Sequence, residues 1–216
     1  THTYDKAQNL TLNGYERQYT VTFNENYEGS TNQTAKSTYA FKDWNLKKDG
    51  TGNAYTNGQS VTNLTSTNNG TVTLYAMWDN TVSSAKLTLP TLTRANYVFE
   101  GWYKEQATTT LVGTAGNTYT PSGNITLYAK WTANTNTKYT VKHYKQNIDG
   151  TYPSVPSEEE VKYGTTKETT NASPKTYKGF TTPAKQNKEI LANGTTIIEY
   201  KYVRDLSTLT INPNGG

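Results

Sequence analysis

One hexapeptide occurs twice in this chain: Thr73-Leu74-Tyr75-Ala76-Met77-Trp78 returns as Thr126-Leu127-Tyr128-Ala129-Lys130-Trp131. An internal repeat constrains a fold more than composition does, because each copy must bury the same face against equivalent partners. An aromatic segment precedes each copy, Tyr39-Ala40-Phe41-Lys42-Asp43-Trp44 before the first and Tyr97-Val98-Phe99-Glu100-Gly101-Trp102 before the second. The units match at their ends and differ in the stretch between, which is where loops diverge.

The closing segments alternate with the period of a half-buried strand. Leu127, Ala129 and Trp131 share one face, and Thr126, Tyr128 and Lys130 the other. Val72, Leu74, Ala76 and Trp78 repeat the first face, and Tyr19, Val21 and Phe23 alternate with Thr20 and Thr22. Between such runs stand Asp49-Gly50, Asn57-Gly58, Asn69-Gly70, Ser122-Gly123 and Asp149-Gly150, pairs that tolerate the positive φ of tight turns. No segment holds a helical apolar period, and a short helix has room only in Ser157 to Tyr163. The four Trp recur at equivalent positions among core-type neighbours and are expected in the core.

After a Thr, Ala and Asn segment at 132–137, expected to be a linker, a third unit opens with Lys138-Tyr139-Thr140-Val141-Lys142-His143-Tyr144. It passes through Tyr177-Lys178-Gly179-Phe180 and closes with Ile197-Ile198-Glu199-Tyr200-Lys201-Tyr202, Tyr standing where the earlier units have Trp. Leu209 to Gly216 reads as a strand entering a turn, the first strand of a further repeat.

Composition narrows the function classes. Hydrophobic residues make up only 32% of the chain, yet 18 Tyr, 4 Trp and 4 Phe supply the bulk for small aromatic cores. The net charge is +4, but lysines are scattered singly and only Arg17, Arg94 and Arg204 are arginines, unlike the basic stripe of a nucleic-acid binder. The absence of cysteine removes disulfides, thiolate metal sites and a Cys nucleophile. His2 and His143 fall in different units without a second ligand at zinc spacing. No catalytic triad, phosphate-binding Gly loop or calcium loop can be assembled, so neither metal nor cofactor is expected, nor enzyme activity. Glu158, Glu159 and Glu160 are expected on a solvated loop. Tyr75, Tyr128 and Lys130, opposite the apolar face, are the candidate ligand-binding residues, weighed against ordinary cross-strand pairing.

The aromatic segment followed by TLYAKW resembles the Listeria-Bacteroides repeat, the B-repeat of internalin-type surface proteins. The segment at 138–205 is similar to mucin-binding-protein-like repeats. The resemblance implies a mainly β (β-rich α+β) chain of tandem small β-grasp-like modules in an elongated arrangement: 1–79, 80–134 and 135–205, with 206–216 beginning another. It implies display on a bacterial, usually Gram-positive, cell surface, attached to the wall through other regions. The expected function is a stalk or spacer with an adhesin contact surface. Host-cell glycans or glycoproteins are the expected partners, with no nucleic acid, no membrane insertion and a monomeric chain. The alternatives are a carbohydrate- or glycosaminoglycan-binding module and an accessory region of a secreted enzyme.

Overall fold

Most alternating segments are strands, but Val72 to Leu74 are not, since the strand that ends at Asp79 begins only at Tyr75. The computed structural model describes residues 10–67 and 69–215, and among these the only helical element is a 3-10 turn at Ser83–Ala85. Strands β1 Leu10–Leu12, β2 Arg17–Asn24, β3 Gln33–Asn45, β4 Ala54–Tyr55, β5 Gln59–Val61, β6 Tyr75–Asp79 and β7 Leu87–Thr88 come first. They are followed by β8 Tyr97–Tyr103, β9 Leu111–Gly113, β10 Thr118–Tyr119, β11 Ile125–Ala133, β12 Thr137–Lys145, β13 Glu158–Gly164, β14 Phe180–Thr181 and β15 Ile197–Arg204. The chain falls into two units: residues up to 92 with 100–130, and 93–99 with 131 onward. Strands β8 and β11 therefore each contribute residues to both.

In the first unit the principal sheet has the order β4-β3-β2-β11-β8-β9, with β6 also on β3. Strands β2 and β3 form an antiparallel pair from Arg17 opposite Tyr39 to Phe23 opposite Gln33. On its other edge β2 runs parallel to β11, with Val21 opposite Ile125 and Asn24 opposite Tyr128. The two copies of the repeat thus share one sheet, because a strand ahead of residue 79 pairs with one beyond residue 80. The inward residues of β2, Tyr19, Val21 and Phe23, are buried together with Leu127 and Ala129. Phe23 meets the edge of Trp102 with ring centroids 4.9 Å apart. Trp102 is fully buried, and its indole N–H donates to the Pro90 carbonyl at 2.8 Å. Trp44, Trp78 and Trp131 are only half-buried, so the expectation of four equivalent core tryptophans holds in full for Trp102 alone. The residue before Trp102, Gly101, has φ +136°, and a Cβ there would lie 2.9 Å from the Gly113 carbonyl oxygen. Asp43, its counterpart, is not among the positive-φ residues, and its strand instead shifts register between Phe41 and Asp43.

The sheet of the second unit has the order β13-β12-β15-β14. Strand β12 is antiparallel to β13 and parallel to β15, with Val141 opposite Glu160 on one side and Ile198 on the other. Tyr139, Val141, Ile190, Ile198, Tyr200 and Tyr202 form its core. Strands β2 and β12 occupy the same place in their sheets, each between an antiparallel partner and a parallel closing strand. Both carry Tyr-Thr-Val, at Tyr19-Thr20-Val21 and Tyr139-Thr140-Val141.

Three local expectations change. Ser157 to Tyr163 holds no helix; Glu158–Gly164 is strand β13. The segment 132–137 is no free linker, since β11 runs to Ala133 and β12 begins at Thr137. Asn134 donates its backbone N–H to the Asn96 carbonyl at 2.9 Å, and the buried hydroxyls of Thr137 and Thr166 bond at 2.6 Å. Residues Leu209 to Gly215 form no strand and end in a turn, with Leu209 and Ile211 exposed. His2, the first nine residues, Asn68 and Gly216 lie outside the described residues.

Candidate functional site

A concavity lies in the first unit, a groove of about 530 Å³ built from three stretches of chain. Tyr15 stands before β2 and Arg17 opens it, β3 and its following turn supply Tyr39, Trp44 and Lys48, and β6 with the residue before it supplies Leu74 to Trp78. Tyr15 is 54% exposed and lies 6.1 Å from the Trp44 ring and 5.9 Å from the Trp78 ring. The Arg17 guanidinium sits 4.5 Å above the Trp78 ring, within the range of a cation–π attraction. The lining carries the cations Arg17 and Lys48 and no carboxylate.

Beside this groove is a hydrogen-bonding deficit. The indole nitrogens of Trp44 and Trp78 and Oδ1 of Asp43 are buried without a partner. Each such atom forfeits about 1 to 3 kcal/mol, and native structures hold few of them. The Trp102 indole, by contrast, has an acceptor in the Pro90 carbonyl.

Of the residues singled out by sequence, Tyr75 lines this groove and is 37% exposed. Tyr128 and Lys130 do not line it. They lie on β11, half-buried, with the Lys130 ammonium 5.2 Å from the Tyr103 ring centroid. Tyr15, Arg17 and Lys48 were missed because no local pattern joins three distant stretches.

The second unit holds a polar cluster. His143 is completely buried, with Nδ1 2.7 Å from the Tyr202 hydroxyl and Nε2 2.9 Å from Glu160 Oε1. A carboxylate only accepts, so Nε2 carries the proton, and Nδ1 accepts from the Tyr202 hydroxyl. The Tyr202 oxygen in turn accepts the backbone N–H of Lys175 at 2.8 Å. With this tautomer each polar atom from Glu160 through His143 and Tyr202 to the Lys175 amide has a partner. The Lys175 ammonium bridges Glu160, at 2.9 Å, and Glu158, which also accepts the Tyr177 hydroxyl at 2.6 Å. The expected solvated loop at Glu158 to Glu160 is therefore a strand whose alternate carboxylates are tied down. The hydrogen bond from Lys175, reinforced by that from His143 and the charge of Lys162, holds the Glu160 carboxyl down at about 2. Burial and the contact with Glu158 push the Tyr177 hydroxyl up. The cluster runs from the buried His143 and Tyr202 out to the partly exposed Lys175 and Glu158, and braces β13 against β12.

The Listeria-Bacteroides repeat domain matches residues 12–77 and again 66–130. The chain belongs to the Listeria-Bacteroides repeat family. The two matches overlap, and together they span the shared sheet of the first unit. This repeat family is typical of extracellular surface proteins and is not known as catalytic. Comparison with curated proteins and with solved structures finds no match. Among the described residues no helix is long and apolar enough to cross a membrane, and no three His, Cys, Asp or Glu side chains gather as metal ligands would.

Proposed function

We propose that this chain is a non-catalytic repeat region of a bacterial cell-surface protein, a spacer that also presents a contact surface to host glycans. The observation that carries the contact role is the groove of Tyr15, Trp44, Tyr75 and Trp78. Aromatic faces cover the apolar side of a sugar ring, and polar groups at their rim fix its hydroxyls. Arg17 and Lys48, unopposed in the lining, favour a sugar bearing carboxylate or sulfate groups. The unpartnered indole nitrogens of Trp44 and Trp78, two of the groove's lining residues, support a ligand rich in acceptor oxygens. Display on a Gram-positive wall, a β-grasp-like module plan and a mucin-binding-like kinship of residues 138–205 belong to the same reading.

Calorimetric titration with neutral, carboxylated and sulfated oligosaccharides tests it. Binding of an anionic oligosaccharide by the intact chain is expected, weakened by Tyr75→Ala and by Lys48→Ala with the thermal melt unchanged. Tyr128→Ala leaves it unaltered. Failure of every oligosaccharide to bind would remove the contact role and leave the spacer.

A further inference from the structure

The two copies of the repeat hexapeptide are unequally used, and the difference points to a vacant strand position. In the second copy, residues 125–128 of β11 pair in parallel with β2. In the first copy the counterparts are Val72, Thr73, Leu74 and Tyr75. Strand β6 begins only at Tyr75, and among the described residues it pairs with β3 alone. Thus β6 falls short of β11 at its start by the residues whose counterparts lie against β2. Val72 to Leu74 nevertheless alternate in exposure as a strand does.

A second observation names what fits there. Thr208-Leu209-Thr210-Ile211-Asn212-Pro213-Asn214 repeats the pattern of Thr20-Val21-Thr22-Phe23-Asn24-Glu25-Asn26 in β2. The likeness extends to geometry. In β2 the Asn24 side chain accepts the Asn26 backbone N–H at 2.7 Å, and Asn26 has φ +61°. In the later segment Asn212 accepts the Asn214 N–H at 3.0 Å, and Asn214 has φ +52°. Leu209 and Ile211, the counterparts of buried Val21 and Phe23, are 84% and 78% exposed, and no strand pairs with them among the described residues. Pro213 stands beyond the counterpart of the last paired residue, Asn24, where no ladder N–H is needed.

We propose that residues 208–212 of one copy of this chain add in parallel to the free edge of β6 in a second copy, in the register of β2 on β11. Leu209 then lies opposite Val72, Thr210 opposite Thr73, Ile211 opposite Leu74 and Asn212 opposite Tyr75. The addition lengthens β6 to match β11 and covers two exposed apolar side chains. Main-chain hydrogen bonds supply affinity, and the alternate side chains supply register. Donor and acceptor are different surfaces, so the contact is head-to-tail and propagates unless it closes into a ring. Such addition makes association concentration-dependent, in place of the expected monomer, and sets Ile211 and Asn212 against Leu74 and Tyr75 at the end of the groove.

The test is sedimentation of the full chain from micromolar to millimolar concentration, alone and with substitutions on each side. Successive strand N–H groups point to opposite edges, so Leu209→Pro and Thr210→Pro are made separately and one must remove a donor facing the acceptor. The proposal expects association of the parent chain, weakened by about tenfold or more in at least one proline variant, with both thermal transitions intact. It also expects oxidised dimers from a mixture of Leu74→Cys and Ile211→Cys chains, and few from Thr73→Cys with Ile211→Cys. A parent chain that stays monomeric at millimolar concentration would overturn it. So would association unaffected by either proline, or crosslinking indifferent to register.

Discussion

The two sheets solve one problem with different materials. In each, a Tyr-Thr-Val strand lies between an antiparallel neighbour and a parallel closing strand. The first unit fills the inward face with hydrocarbon and indole, Phe23 on Trp102 above all. The second sets His143 at the corresponding depth, stacked near Tyr200 and Tyr202 and braced by Glu160. The first core depends on volume, and the second on completing a chain of hydrogen bonds. A strand order does not dictate a core chemistry; it dictates only that each inward atom find a partner.

Truncation separates the two most widely. Trp102→Ala removes a fully buried ring and its bond to Pro90, at a cost of about 3 to 5 kcal/mol. In differential scanning calorimetry it should abolish the transition of the first unit and spare that of the second. Trp131→Ala, at a half-buried site, should cost visibly less.

In the second unit the smallest edit should have an outsized effect. Tyr202→Phe conserves the ring but strips the hydroxyl that joins His143 to the Lys175 amide, which should cost about 1 to 3 kcal/mol by urea unfolding. The equivalent edit Tyr19→Phe, on a residue that contributes through its ring contact with Tyr39 at 5.3 Å, should fall within a few tenths of parent stability.

Acid should expose the same contrast. Glu160 is held at about 2 in the folded chain against an ordinary glutamate value of 4.5. A depressed carboxyl contributes stability above its unfolded value that is lost as pH falls toward its folded value. Thermal scans of the second unit should therefore decline between about pH 4.5 and 2, and Glu160→Gln should flatten that decline while lowering stability at neutral pH. An effect well below that of Trp102→Ala belongs to Asn26, whose side-chain amide donates to the Ala129 and Gln106 carbonyls at 3.1 and 3.2 Å. Asn26→Gly keeps the positive φ and removes both bonds, at about 1 kcal/mol in the first unit.

Much of this fold could be read from sequence, and the exceptions have physical causes. Strands β2, β11, β12 and β15 follow their alternation because one face is apolar and the other polar. Strand β13 inverts that rule: Glu160 and Lys162 are the more covered residues, while Val161 and Tyr163 are about half exposed. A charge run with apolar residues on its outer face reads as a loop until the buried imidazole it serves is known. Nor does alternation reveal which of two near-identical segments receives β2, since Leu74 and Leu127 present the same face to a partner. That choice is made by long-range parallel pairing, which leaves no local signature. The groove was half legible: Tyr75 was marked by its strand face, but Tyr15, Arg17 and Lys48 reach it only through tertiary structure.

The central claim is that the two repeat copies are not equivalent, because only the second holds β2. Amide hydrogen exchange on the dilute, intact Thr210→Pro chain addresses this directly. The account predicts strong protection at those amides of residues 125–128 that bond to β2, and near-unprotected exchange at residues 72–74. Equal protection of the two copies, or protection of the first at the expense of the second, would contradict it.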